Sequence, residues 1–287
     1  MEEVKEVNFV FVRHGQGCHN ATSPLLKNSD LDDDSKQKLI KYLSMYDPEL
    51  TYIGEKASIK NGSIVERFLN NIDKISDIGI RDIGIGIVGC SPLIRSMETA
   101  YFMTRKWKNP PKKIYVFPLL RELDESSSNI YSDASRERLK SIPSYAMRSI
   151  KYQKKYLETI GILDFFDFSF VETSNLRSEP GQITEFIKWF NYYKNEFNVI
   201  NKRDPVNVFI VTHAGVLKNY AGEGYYNNSG FILNAELGKK ITYRDFISMN
   251  DYLDKSIFSE FIKDYKSIKL NEYCPSKRCG KLCSLSK

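Results

Sequence analysis

The sequence predicts an α/β fold in three layers: a mostly parallel central sheet, helices on both faces, and a partly helical cap insertion. Three observations carry this expectation. Short runs rich in β-branched and aromatic residues, at 6–12, 83–92 and 206–211, read as buried strands. Stretches with helical spacing lie between them, which is the alternation of a parallel sheet. Polar residues cluster where the strands end, at Arg13 and His14, at Ser91 and at His213, and sites in such sheets form beyond the carboxyl ends of the strands.

Taken in order, "EVNFVFV" is the first strand and delivers Arg13 and His14 at its end. Residues 22–48 are polar, and "DLDDDSKQKL" within them carries the signals of a capped helix start, so this segment reads as a surface excursion. A helix is expected over 54–71. "IGIGIVGCSP" is the second strand, and the residues after it place Leu93, Met97 and Ala100 at helical spacing with Pro92 beside the first turn. "KKIYVFPLL", 112–120, is a third strand. The cap insertion spans about 123–180, "ITEFIKWFNYYKNEF" is an amphipathic helix, and "DPVNVFIVTHAGVLKNY" is a strand, a turn and a helix with the strand at Val206–Val211. With no internal repeat and no low-complexity linker, the 287 residues read as one domain with insertions.

Composition narrows the function. A hydrophobic fraction of 41% and a charged fraction of 27% are ordinary for a soluble protein, and no apolar run is long enough to span a bilayer. The amino terminus is acidic and lacks the layout of a secretory signal, and five cysteines make no disulfide framework for this length, so a cytoplasmic location is expected. Cys274, Cys279 and Cys283 lie close together, but their spacing is not a paired ligand set and no histidine is near; 271–287 reads as a basic tail. The net charge of +6 is spread along the chain without interleaved aromatic signatures, which fits an acidic small molecule and gives no reason to expect nucleic acid or membrane as partner.

The strand-end residues suit one task. A phosphoryl group offers oxygens that accept paired hydrogen bonds, which the planar fork of an arginine matches. Arg13, Arg95, His14 and His213 would together hold one such group, with a neutral imidazole as nucleophile and the second histidine stabilising the accumulating charge.

In chain order, "RHGQGCHN", "PELTYIGEKAS", "SPLIRSMETA", "LLRELDES" and "VTHAGVLKNY" resemble the histidine phosphatase, or phosphoglycerate mutase-like, superfamily over residues 7 to about 235. The resemblance implies His14 as nucleophile, with Arg13, Arg95 and His213 around the phosphoryl group. It implies Asn20, Gln16, Gly17, Ser91 and Ala214 as further phosphate-binding residues, and Thr51–Gly54 as a structural turn. Glu122 is implied as the proton donor to the leaving oxygen, with Glu125 or Asp124 as alternatives. No cofactor and no metal are implied. Gln16, Gly17 and Cys18 following "RHG" differ from the RHGxRxP pattern of acid phosphatases and phytases and resemble the phosphatase-like members of the mutase branch. A phosphomonoester phosphatase is therefore expected, with a mutase-type phosphotransferase or a non-catalytic phosphate-binding module as alternatives.

Other features are given plainer readings. His19 is incidental, lying behind the residues that touch the ligand or at the surface, at the pocket rim. The motif GxGxxG at Gly84–Gly89 lies inside a strand and has no acid about 20 residues on, so it is not a dinucleotide fingerprint. The run Arg136, Arg138, Lys140, Arg148, Lys151, Lys154 and Lys155 would draw a polyanionic substrate if it covered the site, but a solvated helix face is the simpler reading. Oligomeric state is not legible.

Overall fold

The computed structural model describes residues 5–20, 47–71, 85–123, 148–172, 176, 181–197 and 206–254. Seven strands form one sheet in the order β4-β3-β2-β5-β1-β6-β7: β1 (Lys5–Arg13), β2 (Ile85–Cys90), β3 (Ile114–Val116), β4 (Phe166–Asp167), β5 (Val206–Thr212), β6 (Gly230–Leu237) and β7 (Thr242–Ser248). β4, β3, β2, β5 and β1 run parallel, β6 is antiparallel to β1, and β7 is antiparallel to β6. The mostly parallel sheet expected from the alternation of strands and helices is therefore present.

Each face of the sheet has its own apolar layer. On one side Val10, Val12, Val88, Phe209 and Val211 pack under α1 (Tyr52–Leu69), α2 (Ile94–Thr104) and α3 (Ile150–Thr159). On the other, Phe9, Phe11, Val208 and Ile210 pack under α5 (Ile183–Tyr193) and α6 (Ala214–Ala221). The alternation of side chains along a strand sends neighbours to opposite layers, so a strand covered on both faces is mostly apolar, and its buried polar exceptions are paired, Asn8 Nδ2 donating to Asn207 Oδ1 at 2.9 Å between β1 and β5. β5, at the centre, is buried along its whole length.

Where the chain departs from expectation, the reasons are local. The third strand is three residues long instead of nine, because Pro118 has no N–H for the ladder and Leu119 turns to φ 60, which redirects the chain toward Glu122. Residues 148–172, within the expected cap, join the main body. α3 buries Gln153, Tyr156 and Leu157, a short α4 (Ser169–Glu172) follows, and β4 pairs with β3 as an edge strand. The basic side chains of α3 face outward, Lys154 pairing with exposed Glu172, and Arg148, just before the helix, stacks on Tyr152, as at a solvated face. Arg136, Arg138, Lys140 and the rest of 124–147, the 22–46 part of the expected excursion, and the cysteine-bearing tail lie outside the described residues.

The GxGxxG segment is explained by packing. Gly84 lies outside the described residues, Gly86 sits at a register irregularity between β2 and β5, and a side chain on Gly89 would overlap the ring of Phe117. β7 and the short α7 (Met249–Tyr252), absent from the sequence reading, complete the antiparallel edge. Among the described residues, no helix is long and apolar enough to cross a membrane.

Candidate active site

The strand order sets three carboxyl ends side by side, those of β2, β5 and β1. Backbone hydrogen bonds extend the ladder past the strands: His14 N–H donates to Thr212 O at 2.9 Å and Ser91 N–H to Val211 O at 2.8 Å. His14, Ser91 and His213 are thereby held at one level, and the rings of His14 and His213 come to 5.0 Å between centroids.

His14 is 1% exposed, and both of its ring nitrogens are engaged. Nδ1 lies 2.6 Å from Gly15 O, and Nε2 receives the Arg95 Nε–H at 3.3 Å. A carbonyl can only accept and a guanidinium can only donate, so the neutral ring carries its proton on Nδ1 and its lone pair on Nε2. Burial, and then the charge of Arg95, hold its pKa well below the ordinary imidazole value, with smaller contributions from His213, His19 and Arg13. The result is a neutral imidazole with a fixed tautomer and its basic nitrogen against a cation.

The loop that carries His14 is built by close approach. Thr51 caps α1, its hydroxyl accepting from Gly54 N–H at 2.9 Å while its backbone N–H donates to Gln16 O at 2.9 Å. A Cβ on Gly54 would run into the Gln16 carbonyl, so only glycine lets α1 lie this near the loop. Gly15 N–H donates to Thr99 Oγ1 at 2.9 Å, and Thr99 donates in turn to Arg95 O, one turn back on α2. The same helix thus fixes both the loop and the arginine that faces it.

His213 is fully buried. Its Nε2 meets Ser91 Oγ at 2.8 Å and Ser96 Oγ at 3.3 Å, and its Nδ1 has no hydrogen-bond partner among the described residues. Two hydroxyls can both donate to Nε2, which leaves Nδ1–H for something not yet in the site. Burial first, then Arg95, keep this imidazole neutral as well. Glu122 closes the group. Its Oε1 accepts from Gly215 N–H at 3.1 Å, at the amino end of α6, and from Leu123 N–H at 3.0 Å. Burial raises the Glu122 pKa, against the opposing pull of Arg95, these two amides and Arg13. Thr212 Oγ1 anchors the preceding segment by donating to Leu120 O at 2.9 Å.

One ring nitrogen of each of His14 and His213 and a carboxylate oxygen of Glu122 lie within 4.8 Å of one another, a donor set that would also suit a divalent cation. The field argues otherwise. The guanidinium of Arg95 occupies the lone pair of His14, and Arg95 and Arg13 depress both imidazole pKa values. Positive charge of this kind beside the three atoms favours an anion there.

Of the residues expected from the sequence, His14, Arg95, His213, Glu122 and Ser91 are brought together. Half-buried Arg13 reaches their field and is tied by NH1 to Tyr225 O at 2.9 Å. Ala214 is the first residue of α6. Gly17 N–H donates to Asn20 Oδ1 at 3.0 Å, and Gln16 Oε1 accepts from the Thr51 hydroxyl at 2.5 Å, so these three residues are tied into the loop that carries His14. Glu125 and Asp124 lie outside the described residues. The sequence reading missed the loop before β6. Asn227 donates to His14 O at 2.7 Å, and Asn228, at φ 65, donates its N–H to Arg13 O and accepts from Ser58. The signal was the paired asparagines, which are favoured in left-handed turns.

No protein-family model and no curated protein sequence matches the chain. Among solved structures it is similar to the ecdysone phosphate phosphatase from Bombix mori in complex with tungstate, at 17% identity over 84% of this chain and 92% of that one, TM-score 0.41. It is similar to the phosphoglycerate mutase from Bacillus anthracis str. Sterne at 13% identity over 90% and 97%, TM-score 0.44. Bacillus stearothermophilus YhfR follows at 15% identity over 83% and 94%, TM-score 0.37.

Proposed function

We propose that the protein is a phosphohydrolase that cleaves phosphomonoesters through a covalent phosphohistidine on His14. The observation that carries this reading is the pairing of His14 Nε2 with Arg95 Nε at 3.3 Å while Nδ1 is held by Gly15 O. A nucleophile needs a lone pair, and a phosphoryl group needs cations. Here both are presented at one point.

In the first step Nε2 attacks phosphorus, the N–P bond forms, and the bond to the ester oxygen breaks. Glu122, whose buried carboxyl favours the protonated form, delivers its proton to that oxygen. Arg95, Arg13 and His213 Nδ1–H bind the remaining phosphoryl oxygens, and their hydrogen bonds strengthen as charge collects there. In the second step the Glu122 carboxylate takes a proton from water, the water oxygen attacks phosphorus, and the N–P bond breaks to release inorganic phosphate and restore neutral His14.

The motif order that resembles the histidine phosphatase superfamily supports the same assignment. The substrate is a small phosphorylated molecule, the cytoplasm is the proposed location, and no metal is needed because the charge is supplied by arginine. The test is phosphate release from p-nitrophenyl phosphate in the presence of EDTA, by wild type and His14→Ala. Activity in wild type and its loss in His14→Ala are expected. Equal rates would overturn the reading.

A further inference from the structure

The chain contains three histidines, and all three lie in one cluster. The mechanism above uses two. His19 packs its ring 5.7 Å from that of His14, on a turn that closes on itself: Gly17 N–H donates to Asn20 Oδ1, and Asn20 N–H donates to Gly17 O at 2.9 Å. That closure returns residue 19 over residue 17. A Cβ added at Gly17 would lie 2.8 Å from His19 Nδ1 and Cε1 and 3.4 Å from Arg95 Cδ. The His19 ring and the Arg95 side chain therefore meet over the bare Cα of Gly17, and the glycine is what lets them meet.

Burial gives the direction of approach. His14, Arg95 and His213 are sealed from solvent, whereas His19 and Arg13 are half-buried. Together with Ala214 and Gly215, half-buried on the Glu122 side, these two form the rim that meets solvent among the described residues, so His19 stands where an entering substrate passes. Burial, followed by Arg95 and Arg13, keeps His19 neutral, so the ring brings an N–H donor to an anion without adding a proton that would have to be lost.

We infer that His19 is a third imidazole of the phosphoryl site, donating a hydrogen bond to the phosphoryl group of the substrate from the solvent side. The inference rests on the phosphoryl-transfer reading, but its test separates the two. Tungstate, a tetrahedral oxyanion, is titrated calorimetrically into wild type, His19→Leu and His19→Gln, and the same proteins are assayed with p-nitrophenyl phosphate. Leucine keeps the bulk without a donor, and glutamine keeps a donor.

A hydrogen bond to a charged group is worth roughly tenfold to a hundredfold in affinity. His19→Leu is expected to weaken tungstate binding and to lower kcat/KM by that factor, with melting temperature held, and His19→Gln to recover most of both. Unchanged tungstate affinity in His19→Leu overturns the inference. So does equal loss in both variants, which would make the ring a packing element over Gly17. If wild type binds tungstate but turns over no ester, the hydrolase reading fails while the affinities still decide the role of His19; a wild type that binds no tungstate overturns both.

Discussion

Arg95 Nε donates to His14 Nε2, so the atom proposed to attack phosphorus rests against a cation until substrate arrives. The arrangement keeps the imidazole unprotonated and leaves the guanidinium where the phosphoryl oxygens must come. Since Arg95 is the second cause of the depressed His14 pKa, after burial, the acid limb of kcat/KM should fall below the ordinary imidazole value of 6.5. In Arg95→Gln that limb should move upward while kcat/KM falls by roughly a hundredfold or more, as when one donor to a developing oxyanion is removed. A pH profile of both proteins checks this. An unmoved limb would mean that the arginine does not set the state of His14.

Glu122 and Gly215 form the second relationship. A Cβ at 215 would lie 2.5 Å from Glu122 Oε1, the oxygen that Gly215 N–H now holds. Gly215→Ala should therefore displace the acid and act as a partial Glu122→Gln. General-acid catalysis is worth roughly a hundredfold to ten-thousandfold. Glu122→Gln should lose that much with an alkyl phosphate and Gly215→Ala a part of it, and both should lose far less with p-nitrophenyl phosphate, whose leaving oxygen needs little protonation. Equal losses on the two substrates would remove Glu122 from the role of proton donor.

Much of this was legible in the sequence because buried parallel strands are mostly apolar along their length, and because a residue at a strand end has its location fixed by the strand. His14, Ser91 and His213 follow from β1, β2 and β5 in that way. What resisted reading depends on contacts distant in sequence. Residues 148–172 look like a charged insertion until Tyr156 and Leu157 are seen to enter the core, and the role of Asn227 exists only because the loop before β6 passes over His14. For His19 the string alone gives only an incidental place, because nothing in it shows a turn folding the ring back over Gly17.

Gly54 is a structural test of the same loop. Its missing Cβ lets α1 approach the Gln16 backbone, which no rotamer change can relieve. Gly54→Ala should cost about 2 kcal/mol or more in urea unfolding and should lower activity as well, since the shifted backbone carries His14. A neutral result would show that α1 can retreat without disturbing the site.

Stability should depend on pH through the same histidines. The folded pKa values of His14, His19 and His213 lie below 6.5, so beneath that pH the unfolded chain binds more protons and folding weakens as pH falls. Buried Glu122 and Asp47, whose pKa values are raised, act in the opposite sense and blunt the slope. His213→Asn isolates one share: its unfolding free energy, followed by urea titration between pH 6.5 and 5, should change less steeply than that of wild type by up to about 1.4 kcal/mol per pH unit. An identical slope would mean that His213 is protonated in the folded protein.

The central claim is that His14 carries the phosphoryl group, and turnover of a radiolabelled phosphomonoester, quenched in alkaline detergent, tests it most directly. Trapped protein should hold label that is lost in acid and kept in alkali, recovered on the peptide containing His14 and absent from His14→Ala. Continued turnover with no labelled protein, or label on another residue, would contradict it.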